Sequence, residues 1–216
     1  MTTPTVRSVS VGRARDAAWA GRLRRTAIDK RPVEGPVAVR SLGLAGDEQA
    51  DLVNHGGPDQ AVYAYAREDL DHWAERLGRE LRDGMFGENL TTHGVQVSRA
   101  LIGERWRIGT ARFEVVLPRV PCSVFGAWMA EPAWVKRFTA EARTGAYLRV
   151  LDEGHLAAGD PITVEYRPGH GIDLATAFRA RHDRDLDLLR RVLELPGRAE
   201  EWQRAYDRVA RQLGPA

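Results

Sequence analysis

The sequence predicts a mainly β chain with α, a barrel or sandwich of short strands followed by a small three-helix region. Three observations carry this. Short alternating runs, such as Trp106–Ile108 and Phe113–Val115, recur with glycine turns between them, among them Gly109-Thr110 and Gly159-Asp160. The apolar period changes from two to 3.6 after Pro168-Gly169-His170-Gly171. A hydrophobic fraction of 43% in 216 residues is enough for one substantial core. The expected division is residues 1–167 as barrel and 168–216 as helices.

In chain order, Val6, Val9 and Val11 suggest a first strand. Trp19 to Arg25 is basic and has no clear period. Val37, Val39, Leu42 and Leu44 read as one or two short strands, and Ala61 to Tyr65 as another. Leu70, Trp73, Leu77 and Leu81 recur at helical spacing and form a packing stripe. Tyr147 to Leu151 and Ile162 to Tyr166 complete the strands, and Trp128 to Arg137 reads as a short helical excursion. Asp173 suits the N-cap of a helix through Leu174, Ala177 and Phe178. Leu186, Leu189 and Leu193 mark a second helix, which Pro196-Gly197 stops. Trp202, Ala205, Tyr206, Val209 and Leu213 mark a third.

Net charge is +2, which argues against a general polyanion binder and permits a local basic pocket. Lys30 and Lys136 are the only lysines, so positive charge is nearly all arginine, the side chain suited to bidentate grip on phosphate or carboxylate. One cysteine excludes an internal disulfide and fits a reducing cytoplasm. No apolar run is long enough for a membrane span, and Met1 to Lys30 lacks a signal-peptide core.

The chemistry centres on Pro118-Arg119-Val120-Pro121-Cys122. Two prolines take the chain out of a strand as a stiff loop, which holds the thiol in one place. Arg119 favours thiolate over thiol, the form that attacks or binds metal. A buried packing role, a common fate of a lone cysteine, is the competing expectation. Thr26, Lys30 and Arg31 beside Pro32 are candidates to grip a phosphate, with solvated surface charge as the alternative. Asp47, Glu48, Gln49 and Asp51 precede His55-Gly56-Gly57-Pro58-Asp59, where two glycines let backbone N–H groups approach a ligand. His55 is a candidate metal ligand, proton carrier or structural histidine. No partner stands at zinc-ligand spacing. Glu88 and Asn89 supply polar tips to the loop that starts at Gly84. The Walker pattern, a dinucleotide fingerprint and H-E-x-x-H are absent.

The ordered set Gly46-Asp47-Glu48-Gln49-Ala50-Asp51, His55-Gly56-Gly57-Pro58, Phe86-Gly87-Glu88-Asn89-Leu90, Ile102-Gly103, Pro118-Arg119-Val120-Pro121-Cys122 and Gly159-Asp160 resembles the MOSC family. That family is named for the C-terminal domain of molybdenum cofactor sulfurase. The resemblance is to the stand-alone bacterial type associated with resistance to N-hydroxylaminopurines, and it spans nearly all of residues 20–213. It implies a MOSC-type β-barrel with the three-helix end, and a molybdenum cofactor (molybdopterin) with Cys122 as the thiolate on the metal. It also leaves pyridoxal phosphate open as a bound ligand. Arg119, Lys30 and Arg31, with Thr26, become the expected donors to the pterin phosphate. His55, Gly56, Gly57, Asp59, Glu88 and Asn89 become the expected pterin or substrate side, with His55 delivering a proton. Gln60, and Ser123 with Val124, stand where the family often carries a basic residue. The implied reaction is two-electron reduction of a small N-hydroxylated substrate to the amine, with electrons from a separate flavoprotein and no nucleic-acid or membrane partner. Carriage of the cofactor or of sulfur without reductase activity is the alternative.

Overall fold

A computed structural model describes residues 3–51 and 56–214. Its strands are β1 (Thr5–Val11), β2 (Arg15–Asp16), β3 (Arg25–Thr26), β4 (Arg31–Pro32), β5 (Val37–Arg40), β6 (Gly43–Leu44), β7 (Val62–Ala66), β8 (Leu90–His93), β9 (Arg105–Ile108), β10 (Ala111–Leu117), β11 (Ala146–Asp152), β12 (Gly154–Leu156) and β13 (Ile162–Tyr166). Its helices are α1 (Arg67–Leu77), α2 (Ser123–Met129), α3 (Trp134–Glu141), α4 (Leu174–Asp183), α5 (Leu186–Leu193) and α6 (Glu200–Leu213).

Eight strands form one mixed sheet in the order β13-β9-β10-β11-β7-β8-β1-β4. Every pair is antiparallel except β7 with β8, which α1 joins as the crossover that a parallel pair requires. The sheet curls toward closure. Val6 N–H donates to Asp160 O at 2.9 Å and Ile162 N–H to Pro4 O at 2.8 Å, so the start of β13 meets the start of β1. A smaller sheet runs β12-β5-β6, and β2 pairs only with β3. The mainly β barrel-like fold with added helices is the predicted one.

β10 organises the interior. Phe113, Val115 and Leu117 are buried as their alternation predicts, and Val116 on the opposite face is buried too. The reason is the C-terminal helices: Trp202 of α6 is buried and its indole Nε1–H donates to Val116 O at 3.1 Å. Leu174, Ala177, Leu189, Val192 and Val209 share one hydrophobic cluster with Trp106 and Val115. Asp173 caps α4 by accepting from Thr176 N–H at 2.6 Å, and Asp185 caps α5 by accepting from Leu188 N–H at 2.9 Å.

A second cluster, mostly aromatic, packs Tyr63, Tyr65, Trp73, Phe86, Phe125 and Trp134 between α1, α2 and α3. The expected single excursion at Trp128 to Arg137 is two helices. Ala130 (φ 53°) and Ala133 (φ 52°) lie in the left-handed region, which breaks the helical run between Met129 and Trp134. Leu81 joins this cluster from beyond α1, because Gly78 (φ 64°) ends that helix first. Among the described residues, no helix is long and apolar enough to cross a membrane.

Candidate active site

Cys122 stands one residue before α2, in extended backbone (φ −116°, ψ 173°). The strand before it is buried on both faces, and Pro118 and Pro121 stiffen the link. Cys122 therefore hangs from a strand enclosed on both faces and lines a cavity of about 570 Å³.

Arg119 lines the same cavity and is 8% exposed. Its guanidinium lies 4.5 Å from the Phe125 ring centroid and 5.0 Å from that of Tyr63, a cation–π clamp that fixes its plane. Its Nε has no hydrogen-bond partner, and no carboxylate lies within ion-pair distance among the described residues. A buried guanidinium in this state is short of an anion. Gly87 (φ 76°) lies beside it in the left-handed region, where a Cβ would crowd Ile28 Cγ1 at 3.1 Å.

Lys30 and Asp47 form a buried ion pair on the cavity wall. Asp47 also accepts from Gly12 N–H at 2.7 Å and from Asn89 Nδ2 at 2.9 Å. Asn89 in turn accepts from Tyr63 N–H at 3.1 Å, so one amide ties β7, β8 and the 47–51 loop together. Burial lowers the Lys30 pKa, the Asp47 charge opposes this, and the nearby Arg119 charge lowers it further.

Thr26, Lys30, Asn89, Arg119 and Cys122 thus share one cavity, together with Asp47, Glu48, Gln49 and Asp51. The other expected residues are placed differently. Arg31 is exposed and paired with Asp29 at 2.7 Å, off the cavity wall. Glu88 is fully buried inside its own loop, accepting from Gly84 N–H at 2.6 Å, Phe86 N–H at 2.9 Å and Thr91 Oγ1 at 3.0 Å. Burial pushes its carboxyl up to about 7 despite these donors. Asp59 faces Arg149, which donates to it at 2.7 and 2.8 Å, and it does not line the cavity. Gly57 N–H donates to Gln49 Oε1 at 3.1 Å, and neither Gly56 nor Gly57 is on the wall. His55 lies outside the described residues.

Sequence reasoning missed Tyr63, Tyr147, Arg22 and Arg25, all of which line the cavity. Tyr147 and Tyr63 are register partners on β11 and β7, with ring centroids 5.0 Å apart. Burial raises the Tyr147 phenol, and the neighbouring Arg119 charge works the other way. Only the strand pairing, not either tyrosine's local sequence, brings the two together.

Comparison with known protein families matches residues 51–163 to the MOSC domain. YflK of Bacillus subtilis is 34% identical over 98% of this chain and 96% of its own length. The chain belongs to the MOSC family. A crystal structure of YiiM from Geobacillus stearothermophilus superposes with a TM-score of 0.80, at 29% identity, over 95% of this chain and 98% of that one. A Gibberella moniliformis protein called Reductase is 32% identical over 87% of this chain, which spans 34% of that protein. The MOSC match includes Arg119 and Cys122, while Thr26 and Lys30 fall outside it and reach the same cavity through the fold.

The MOSC family is associated with the molybdenum cofactor, and the donor set here suits that group. A single thiol is a soft ligand for a redox metal. The unpartnered Arg119 Nε beside it is a fixed donor for an anion. Among the described residues there is no cluster of three or more metal-ligating side chains.

Proposed function

We propose that this MOSC protein is a molybdenum-cofactor-dependent oxidoreductase that reduces small N-hydroxylated compounds, such as N-hydroxylaminopurines, to amines. The observation that carries this reading is the Cys122 thiol and the aromatic-clamped Arg119, whose Nε has no partner, in one cavity. The name of the fungal relative, Reductase, agrees with it.

In this reading Cys122 holds the metal, and Arg119, with Lys30 and Thr26, holds the pterin phosphate. The bound cofactor supplies the two-electron redox chemistry. Each turnover breaks one N–O bond, consumes two electrons and two protons, and releases the amine and one water. Asp47 keeps Lys30 in place and offsets its burial. His55, whose imidazole suits proton transfer near neutral pH, delivers a proton to the leaving hydroxyl. The electrons come from a separate flavoprotein.

The test is Cys122→Ala in protein from a molybdenum-replete host. Pterin should remain bound, while metal content falls and reduction of an N-hydroxylated base with an artificial electron donor drops to background. Full activity in Cys122→Ala would make the cysteine a packing residue and end this reading. Loaded wild type that reduces nothing and hands its cofactor to an apo-enzyme would assign the chain to carriage instead.

A further inference from the structure

Residues 13–25 carry five arginines and one acid, Asp16, a local charge of +4 in a chain whose net charge is +2. This arm is the β2–β3 hairpin, which pairs with neither larger sheet. Arg13, Arg15, Arg22, Arg24 and Arg25 are all exposed, and none is in an ion pair among the described residues. On the outer strands, by contrast, exposed Arg107 and Arg112 share Glu165, each at 2.9 Å. Trp19 at the tip stacks on Trp128 of α2, with ring centroids 5.9 Å apart. That stack sets the arm beside the helix that follows Cys122. Ala20, Gly21, Arg22 and Arg25 line the cavity, so whatever reaches its mouth meets the arm.

We propose that this arm is the docking surface for an acidic, flavin-carrying electron-donor protein, which rests on the reductase reading above. Arg22 and Arg25 belong to the cavity wall, whereas Arg13, Arg15 and Arg24 do not line it. A ligand held inside the cavity leaves those three unmatched, and a macromolecule seated across its mouth faces them. Unpaired exposed cations of one sign steer an oppositely charged partner and lose that effect with salt. The reaction needs two electrons per N–O bond broken. Two reduced flavins, each oxidised by one electron, or one oxidised by two, supply them while two protons from solvent complete the amine and water.

The test uses cofactor-loaded wild type and the Arg13→Glu/Arg15→Glu/Arg24→Glu variant, with reduced flavodoxin, a small acidic FMN protein, as the probe. Binding to immobilised flavodoxin is measured against ionic strength, and turnover is driven either by flavodoxin or by reduced methyl viologen. The variant should bind flavodoxin roughly tenfold or more weakly, with a flatter salt dependence, and keep its methyl-viologen turnover. Equal flavodoxin binding by both proteins, with methyl-viologen turnover intact, would overturn the docking surface and leave the reductase reading standing. Wild type that turns over with neither donor would overturn both. Tighter binding of a single-stranded oligothymidine than of flavodoxin, lost in the variant, would make the arm a nucleic-acid surface and overturn the proposal.

Discussion

The Lys30 ammonium rests on the Asp47 carboxylate at the cavity wall, and both side chains are nearly closed to solvent. Removing one partner leaves the other as an uncompensated buried charge. Asp47→Ala should therefore cost about 3–5 kcal/mol of stability, more than an exposed pair would. The double change Lys30→Met/Asp47→Leu should recover a large part of that. Urea denaturation of the four proteins in the cycle measures the coupling, and purely additive losses would show that the pair is not a unit.

Glu88 gives a pH dependence with a defined sign. Its carboxyl is raised from the ordinary carboxylate range to about 7, with burial the main cause. The folded state then holds its proton where the unfolded state has lost it. The stability from this group is complete below the unfolded pKa and declines as pH rises toward 7, by about 3 kcal/mol in all. Above 7 it is flat. Glu88→Gln cannot titrate and should lack that decline. Denaturation midpoints at about pH 5 and pH 8 should draw apart more in wild type than in the variant, and parallel profiles would sink the claim.

Arg119 offers a test of the anion grip that does not depend on turnover. A charge-assisted hydrogen bond contributes about 1.5–3 kcal/mol. Arg119→Ala should thus weaken pterin retention about tenfold or more, read from pterin released on dilution. Arg119→Lys keeps the charge and loses the planar stack on Phe125 and Tyr63, so it should fall between the two. Retention equal to wild type in Arg119→Ala would remove the residue from the phosphate site.

The C-terminal helices close the outer face of β10, so they should matter to the barrel itself. Trp202→Ala removes a buried indole and its bond to Val116 O, and should cost about 3–5 kcal/mol. A chain ending at Pro168 should lose more, because Val116 and its neighbours become exposed. A fragment of residues 1–168 with an unchanged urea midpoint would contradict this.

The sequence made the strands legible where only one face is buried. In β9 the alternation of Arg105, Trp106, Arg107 and Ile108 is seen unaltered in the structure. It also pointed to the cysteine loop, because two prolines after an alternating run leave the chain few options. It could not decide between Lys30 and Arg31. Neighbouring residues in extended chain face opposite ways. Lys30 turns inward to Asp47, and Arg31 turns outward to Asp29. Asp59 and Glu88 had the right chemistry for a site, but tertiary partners decided their use: Arg149 for one, two backbone N–H groups and Thr91 for the other. Tyr147 carried no local signal at all, since its place beside Tyr63 is a matter of β11–β7 register.

The β2–β3 hairpin shares no strand ladder with either larger sheet and meets α2 through the Trp19–Trp128 stack. Its length and charge can therefore diverge without shifting the frame that holds Cys122. Exchanging only Arg13, Arg15 and Arg24 for a relative's residues would carry that relative's docking preference into this chain and leave Arg22, Arg25 and Thr26 on the cavity wall. Partner choice and catalysis can drift apart on different clocks, and a chimaera of two relatives would separate them in one step.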